Sequence, residues 1–275
     1  MRVRVPVLSV IGHRRSGKTT IIESIIRELT KRGYRVATVK HTGQKGFSID
    51  SKGKDTWRHS IAGANPVICV SDVEMAILIK DGEANFSIER LFDFLPKIDV
   101  IVLEGFSKIA LNDEDIGKIL CVRDREEYKD FREKARGDII ASCSIQSLGS
   151  PILKIKEGSR VLVERALKYI EREREILRIL SLLPRIDCGE CGHSSCKDMA
   201  LDIYEGRAKL SDCVVLKLKS KLKTRVTVND AEVPLNPFVS EIIRKSILGM
   251  ASSLKGVSIS GDEEVRVKIL GQTYE

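Results

Sequence analysis

The apolar run Val7-Leu8-Ser9-Val10-Ile11 is closed by a glycine, and a strong helix-former pattern follows from Thr20 to Arg32. A continuous apolar run marks a strand covered on both faces, so the chain opens as strand, turn and helix. The alternation continues. It predicts strands over 3–11, 34–40, 66–71, 75–80, 98–104, 119–123, 138–142 and 151–155, and helices over 18–32, 53–62 and 86–95. Such βαβ units predict an α/β fold with a mostly parallel sheet and ligands at the carboxyl ends of the strands.

A long helix is predicted over 159–182. Val161, Leu162, Leu167, Ile170, Leu177 and Leu180 are spaced for its apolar face, Glu171 to Arg174 point outward, and Pro184 ends it. It closes the first domain and carries the chain to a small helical knot over about 184–224. Strands at 225–233 and 263–270 flank a helix at 238–253, a small α+β unit whose sequence carries no legible chemistry. The predicted division is 1–175 for the α/β domain, 176–224 for the domain of the helical knot and 225–275 for the last unit.

The turn after the first strand reads Gly12-His13-Arg14-Arg15-Ser16-Gly17-Lys18-Thr19, a complete G-x-x-x-x-G-K-[ST] phosphate loop between strand and helix. Glycines let the backbone wrap phosphates closely, and the N–H groups of Arg14 to Thr20 meet the positive end of the helix dipole. Lys18 is then placed for the β- and γ-phosphates and Thr19 for Mg²⁺. This architecture is that of a P-loop NTPase. Downstream, Lys40 and His41 follow the second strand, and Asp50, Lys54, Asp55, Arg58 and His59 crowd the next loop and helix. Their use is to orient the γ-phosphate, Mg²⁺ or an attacking water. Asp99 precedes the strand at 98–104 and Glu104 ends it, so Glu104 is the carboxylate placed to accept from a metal-bound water.

Charge narrows the partners. A net charge of +8, with 31 % charged residues of both signs interleaved, suits phosphates or an acidic protein and carries no nucleic-acid module. Lys217, Lys219, Lys221, Lys223 and Arg225 alternate with leucines and read as a half-buried element with one solvated face. No apolar run approaches the length of a membrane span, and the first strand runs straight into the loop without a signal-peptide pattern. The expectation is a cytoplasmic protein.

Seven cysteines divide into two sets. Cys69, Cys121 and Cys143 stand alone in apolar segments, as small buried hydrophobes do. Cys188, Cys191, Cys196 and Cys213 are spaced C-x2-C-x4-C-x16-C, a pattern that argues metal before disulfide in a reducing compartment. One glycine-rich loop supplying three thiolates, with a fourth after a short helix, suits a 4Fe-4S cubane; a zinc site, which commonly uses paired C-x2-C knuckles, is the alternative. His193 reads as a solvated loop residue, because four thiolates complete the site.

The phosphate loop, Val39-Lys40-His41, the segment Gly53-Lys54-Asp55-Thr56-x-Arg58-His59-x2-Ala62-Gly63-Ala64 and Leu103-Glu104-Gly105-Phe106 together resemble the molybdopterin-guanine dinucleotide biosynthesis protein B family over residues 3–157. The resemblance implies a homodimeric GTP-binding protein with weak hydrolysis, assisting the enzyme that attaches GMP to a molybdenum or tungsten pterin. Family members often carry histidines before the phenylalanine, whereas Thr42 to Gly46 here contain none, so no role passes through them. No Asn-Lys-x-Asp guanine signature is present, and GTP rests on the resemblance alone. The cysteine segment is similar to the small 4Fe-4S domain of corrinoid iron–sulfur proteins. Two other functions fit the same parts: an NTP-dependent chaperone that inserts a metal or cluster into a target enzyme, and an electron-transfer module with a regulatory nucleotide site.

Overall fold

The computed structural model describes residues 5–80, 86–95, 97–219, 224–229, 231–259 and 265–267. It separates into two units, Met1–Arg174 and Glu175–Glu275. In the first, β1 (Val7–Ile11), β2 (Val36–Lys40), β5 (Val100–Glu104), β6 (Ile116–Cys121), β7 (Ile139–Ser144) and β8 (Leu153–Lys154) form one parallel sheet in the order β2-β5-β1-β6-β7-β8. The chain leaves β1 through α1 (Lys18–Lys31) toward one edge and later passes from β5 through α4 (Ser107–Ala110) to the other side of β1. The carboxyl end of β1 therefore lies where the strand order reverses, the crevice in which open α/β sheets bind ligands.

Alternating side chains of these strands supply two cores. Leu8, Val10, Val100, Val102, Ile119 and Cys121 pack with Ile21, Ile25 and Leu29 of α1 and with α6 (Ile155–Leu182). Val7, Ile11, Ile101, Leu103 and Leu120 face the other way, against Ile88, Phe106, Ala110 and Phe131. This period of two, with both faces covered, is why the strands read as unbroken apolar runs. Lys118 is the exception in β6. It is fully buried, and its ammonium donates to the carbonyls of Asp113 (2.6 Å), Ile116 (2.7 Å) and Arg136, while burial lowers its pKa.

The structure corrects several sequence expectations. The runs at 66–71 and 75–80 are β3 (Val67–Val70) and β4 (Met75–Leu78), an antiparallel hairpin that stays out of the main sheet. Cys69 is consequently exposed, whereas Cys121 and Cys143 are buried, their sulfurs 3.4 Å apart on neighbouring strands. Strand β6 lies earlier than the expected 119–123, and α6 starts at Ile155, directly out of β8. Its inward face is also rotated. Val161 is exposed and Glu173 is buried, because the packed positions are Leu162, Ala166, Leu167, Tyr169 and Ile170. Arg172 pairs with both Glu173 and Asp138, which gives the buried carboxylate a cation.

The helices over 53–62 and 86–95 are shorter, as α2 (Asp55–Ile61) and α3 (Ile88–Leu91). Two helices without a strong apolar pattern went unpredicted, α4 and α5 (Arg125–Lys134). The second is started by a cap: Asp124 accepts from the Glu127 N–H at 2.8 Å.

In the second unit, Ile176, Ile179 and Leu183 of the α6 end pack with Met199 and Ala200 of α7 (Cys196–Tyr204) and Val215 of α8 (Val214–Lys219). In the span 225–233, where strands were expected, β9 (Val226–Val228) and β10 (Ala231–Val233) pair antiparallel, followed by α9 (Pro237–Ser252), whose Asn236 cap accepts from Val239 N–H. Of the basic stretch, Lys221 and Lys223 lie outside the described residues, as do residues 3 and 4 and most of the predicted strand at 263–270.

Candidate functional site

Loop Gly12 to Thr19 leaves β1 at the reversal point and enters α1. Gly12 is required by space and Gly17 by its backbone conformation. A Cβ at Gly12 would sit 2.2 Å from the Cys121 carbonyl oxygen, and one at Gly17, where φ is +91°, would meet Ile155 at 2.4 Å. The loop thus lies directly on the ends of β6 and α6. An open cavity of about 420 Å³ over it is lined by Arg14, Arg15, Ser16, Gly17, Lys18, Thr19, Thr20, Lys40, Glu104 and Ile145.

Three of these meet at one oxygen. Lys40 and Glu104 are cross-strand partners at the ends of β2 and β5. Thr19 Oγ1 donates to Glu104 Oε1 at 3.2 Å, and Lys40 Nζ reaches the same oxygen at 3.1 Å. Glu104 is 17 % exposed. Lys18 folds back, its Nζ donating to the His13 carbonyl at 2.6 Å, and the Ser16 hydroxyl is buried without a hydrogen-bond partner. A buried hydroxyl without a partner, an ammonium on a backbone carbonyl and a hydroxyl–carboxylate pair are the donor set that a triphosphate with Mg²⁺ would engage. The residues fit that ligand.

The remaining predicted residues lie apart from this cavity. His41 N–H donates to the Glu104 carbonyl at 3.0 Å, and its ring lies 5.3 Å from that of Phe106. Asp50 is buried, accepts from Thr56 Oγ1 at 2.8 Å, and pairs with Lys80 at 3.7 Å. Lys54 precedes α2, where Asp55, Arg58 and His59 are exposed, Asp55 pairing with Arg58 at 3.7 Å. Ile145 was not anticipated. Its signal was positional, since it directly follows β7 at the same carboxyl edge as the loop.

In the second unit Cys188, Cys191, Cys196 and Cys213 line one small cavity, together with His193, Met199 and Val215. Gly189 and Gly192 have φ of +74° and +84°, and Asp187 accepts from the Cys196 N–H at 2.7 Å, which holds the loop against the start of α7. Burial pushes the Cys196 thiol up. At Cys191 burial is outweighed by the His193 N–H and ring, and the thiol is shifted down. His193 is not a solvated loop residue. Its ring is 19 % exposed, Nε2 lies 3.0 Å from Asp202 Oδ2, and Nδ1 is buried with no hydrogen bond. The Cys191 thiol and Asp202 raise its pKa. Among the described residues no three His, Cys, Asp or Glu side chains converge as a single ion would need. Four thiols round a shared cavity, with an orphaned buried nitrogen on its wall, fit the donor set of an iron–sulfur cluster.

Comparison with known proteins gives matches to both halves. The family model "Molybdopterin guanine dinucleotide synthesis protein B" matches residues 7–144, and the model "Putative Fe-S cluster" matches residues 183–215. The chain is 29 % identical over 251 residues to the "Putative molybdopterin-guanine dinucleotide biosynthesis adapter protein" of Methanocaldococcus jannaschii, covering 91 % of this chain and 92 % of that one. It is 30 % identical over 126 residues to the Escherichia coli molybdopterin-guanine dinucleotide biosynthesis adapter protein, covering 45 % of this chain and 69 % of that one. A crystal structure of molybdopterin-guanine biosynthesis protein B aligns over 60 % of this chain and 99 % of its own, with 27 % identity and a TM-score of 0.46.

Proposed function

The chain belongs to the molybdopterin guanine dinucleotide synthesis protein B family, and from that premise we propose that it is a GTP-binding adapter of molybdenum or tungsten cofactor biosynthesis which carries a 4Fe-4S cluster. The observation that carries the reading is the convergence of Thr19 and Lys40 on Glu104 beside the phosphate loop. Thr19 and Glu104 are the residues that would hold Mg²⁺. Lys18 turns from the His13 carbonyl to the phosphates. Mg²⁺ held there would neutralise phosphate charge.

The protein's own groups bind and orient: among the described residues the arginines lining the cavity are Arg14 and Arg15 of the loop itself. Hydrolysis is accordingly slow, and Arg14 and Arg15 act as donors to the phosphates within one chain or across a dimer. Lys54, Asp55, Arg58 and His59, exposed outside the cavity, form a surface presented to the GMP-transferring pterin enzyme, and Asp50, its side chain buried against Thr56 and Lys80, holds the loop that leads to them. A homodimer is supported by the hairpin: Ile68, Val70, Met75 and Ile77 share one exposed face, with Ile68 opposite Ile77 and Val70 opposite Met75. No helix among the described residues is long and apolar enough to cross a membrane.

Calorimetric titration with GTP and ATP, with and without Mg²⁺, tests the binding half. The adapter half is tested by adding the full chain to the GMP-transferring enzyme and following dinucleotide formation. One Mg²⁺-strengthened GTP site per chain and faster product formation are expected; absence of triphosphate binding overturns the reading.

A further inference from the structure

His193 stands on the wall of the four-thiol cavity with one nitrogen satisfied and the other not. Nε2 is fixed by Asp202. That carboxylate is itself fixed, since Arg207 donates from Nε at 3.0 Å and again from Nη2 to Asp202 Oδ1. The backbone repeats the anchorage: the N–H groups of Arg207 and Ala208 donate to the Asp202 carbonyl at 2.8 and 3.1 Å. Such a chain of carboxylate and cation behind an imidazole does more than pack a loop, because it selects the ring orientation and leaves Nδ1 aimed away from Asp202. Nδ1 is buried and makes no hydrogen bond, although buried polar atoms in native proteins nearly always have a partner. It shares its cavity with the four cysteines, and it lies two residues from Cys191.

We propose that His193 is a positioning residue of the cluster: with a proton on each ring nitrogen and an anionic acceptor on each side, it donates from Nε2 to Asp202, which Arg207 holds, and from Nδ1 to the Cys191 sulfur of the bound cluster. This rests on the iron–sulfur reading of the four thiols. A donor to a ligand sulfur withdraws electron density and stabilises the reduced cluster, so the contact raises the reduction potential. It supplies no fifth ligand and moves no electron itself. Its effect is to tune how readily the second unit accepts one.

The full chain, prepared without oxygen, is compared with His193→Phe, His193→Gln and Asp202→Asn by iron and sulfide content and by spectroelectrochemical titration at one fixed pH. The expected result is unchanged iron and sulfide in all four, a midpoint shifted to more negative potential in His193→Phe, a smaller shift of the same sign in Asp202→Asn, and a midpoint in His193→Gln closer to that of the parent. An unmoved midpoint in His193→Phe and Asp202→Asn with iron retained overturns the proposal. If His193→Phe loses iron, His193→Gln decides: retention of iron with a near-parental midpoint supports a donor, and loss there too makes His193 a ligand or a prop and overturns it. A parent chain without iron or sulfide instead defeats the cluster reading, an outcome visible before any variant is made.

Discussion

Thr19 Oγ1 and Glu104 Oε1 lie 3.2 Å apart although 85 residues separate them in the chain. The sheet order brings this about, because β5 is the immediate parallel neighbour of β1 and Val10 stands opposite Glu104. Glu104→Gln keeps the shape and removes the charge. It is expected to leave Mg²⁺-free GTP binding within a factor of two and to weaken the Mg²⁺-dependent gain by about 10-fold, the size of one charge-assisted contact. Calorimetry at zero and saturating Mg²⁺ reads both. Equal Mg²⁺ dependence in parent and variant reduces Glu104 to a strand cap.

Lys18 is bonded to the His13 carbonyl at 2.6 Å, an internal partner that a triphosphate must displace. Lys18→Ala is expected to reduce triphosphate affinity by roughly 100-fold, since a desolvated ammonium–phosphate contact is lost and Lys40 is engaged by Glu104. Diphosphate affinity falls less, because the γ-oxygens account for part of the contact. Unchanged affinity for both would remove the phosphate-loop assignment.

The legible parts of this molecule were those where one element carries the whole signal. The phosphate loop needs only β1, its glycines and α1, and three of the four cysteines need only one loop and the start of α7, so both were readable from residue order. Pairing of Lys40 with Glu104 depends on strand order, which no local pattern encodes, although each residue was singled out by its place at a strand end. The hairpin escaped because apolar runs at 67–70 and 75–78 look alike whether they join a buried sheet or expose a face. Helix α5 escaped because its buried positions are Glu127 and Phe131, too few for a period, and its start is a cap rather than an apolar stripe. His193 escaped for another reason. The partner that takes it out of solvent, Asp202, comes from the far end of α7.

Arg35 makes a fork on Asp99, with Nε to Oδ2 at 2.9 Å and Nη2 to Oδ1 at 3.1 Å, joined by the Arg35 N–H at 2.9 Å. These side-chain and backbone bonds pull the Asp99 carboxyl from 3.8 down to about 2. A folded-state value below the unfolded one gives stability that is present above the ordinary carboxylate range and disappears as the pH falls through about 2. Arg35 is more than half exposed, so solvent screening reduces the contribution to about 1 kcal/mol. Asp99→Asn should therefore be less stable than the parent by that amount in urea at pH 7, with the gap closing between pH 4 and pH 2. A gap independent of pH would assign the loss to packing.

On the hairpin, Ile68, Val70, Met75 and Ile77 form an apolar face open to solvent. If two copies of the chain meet there, Val70→Glu places a charge in the buried centre of the contact and should weaken dimerisation by at least 10-fold, as an unpaired interfacial charge does. Sedimentation velocity across a concentration series reads this, with circular dichroism to check that the fold is retained. A parent that stays monomeric at high concentration, or a variant that dimerises as well as the parent, assigns the face elsewhere.

Four thiols from two stretches of chain share one cavity, and this makes a test by deletion decisive. Cys213 lies 17 residues beyond Cys196, just before α8, and is buried at the same wall as Cys188, Cys191 and Cys196. In the iron–sulfur reading it is a ligand equal to the others. Cys213→Ala should then lose iron as fully as Cys191→Ala, from about four irons and four sulfides per chain in the parent prepared without oxygen. Cys121→Ala and Cys143→Ala should keep the full iron content and lose about 1–2 kcal/mol of stability, because each leaves a small void between β6 and β7 under the phosphate loop. Cys69→Ala should change neither, since its thiol is exposed on the hairpin. One tightly bound zinc in a colourless chain would overturn the cluster and leave the nucleotide site standing, because the thiols and the phosphate loop belong to separate units.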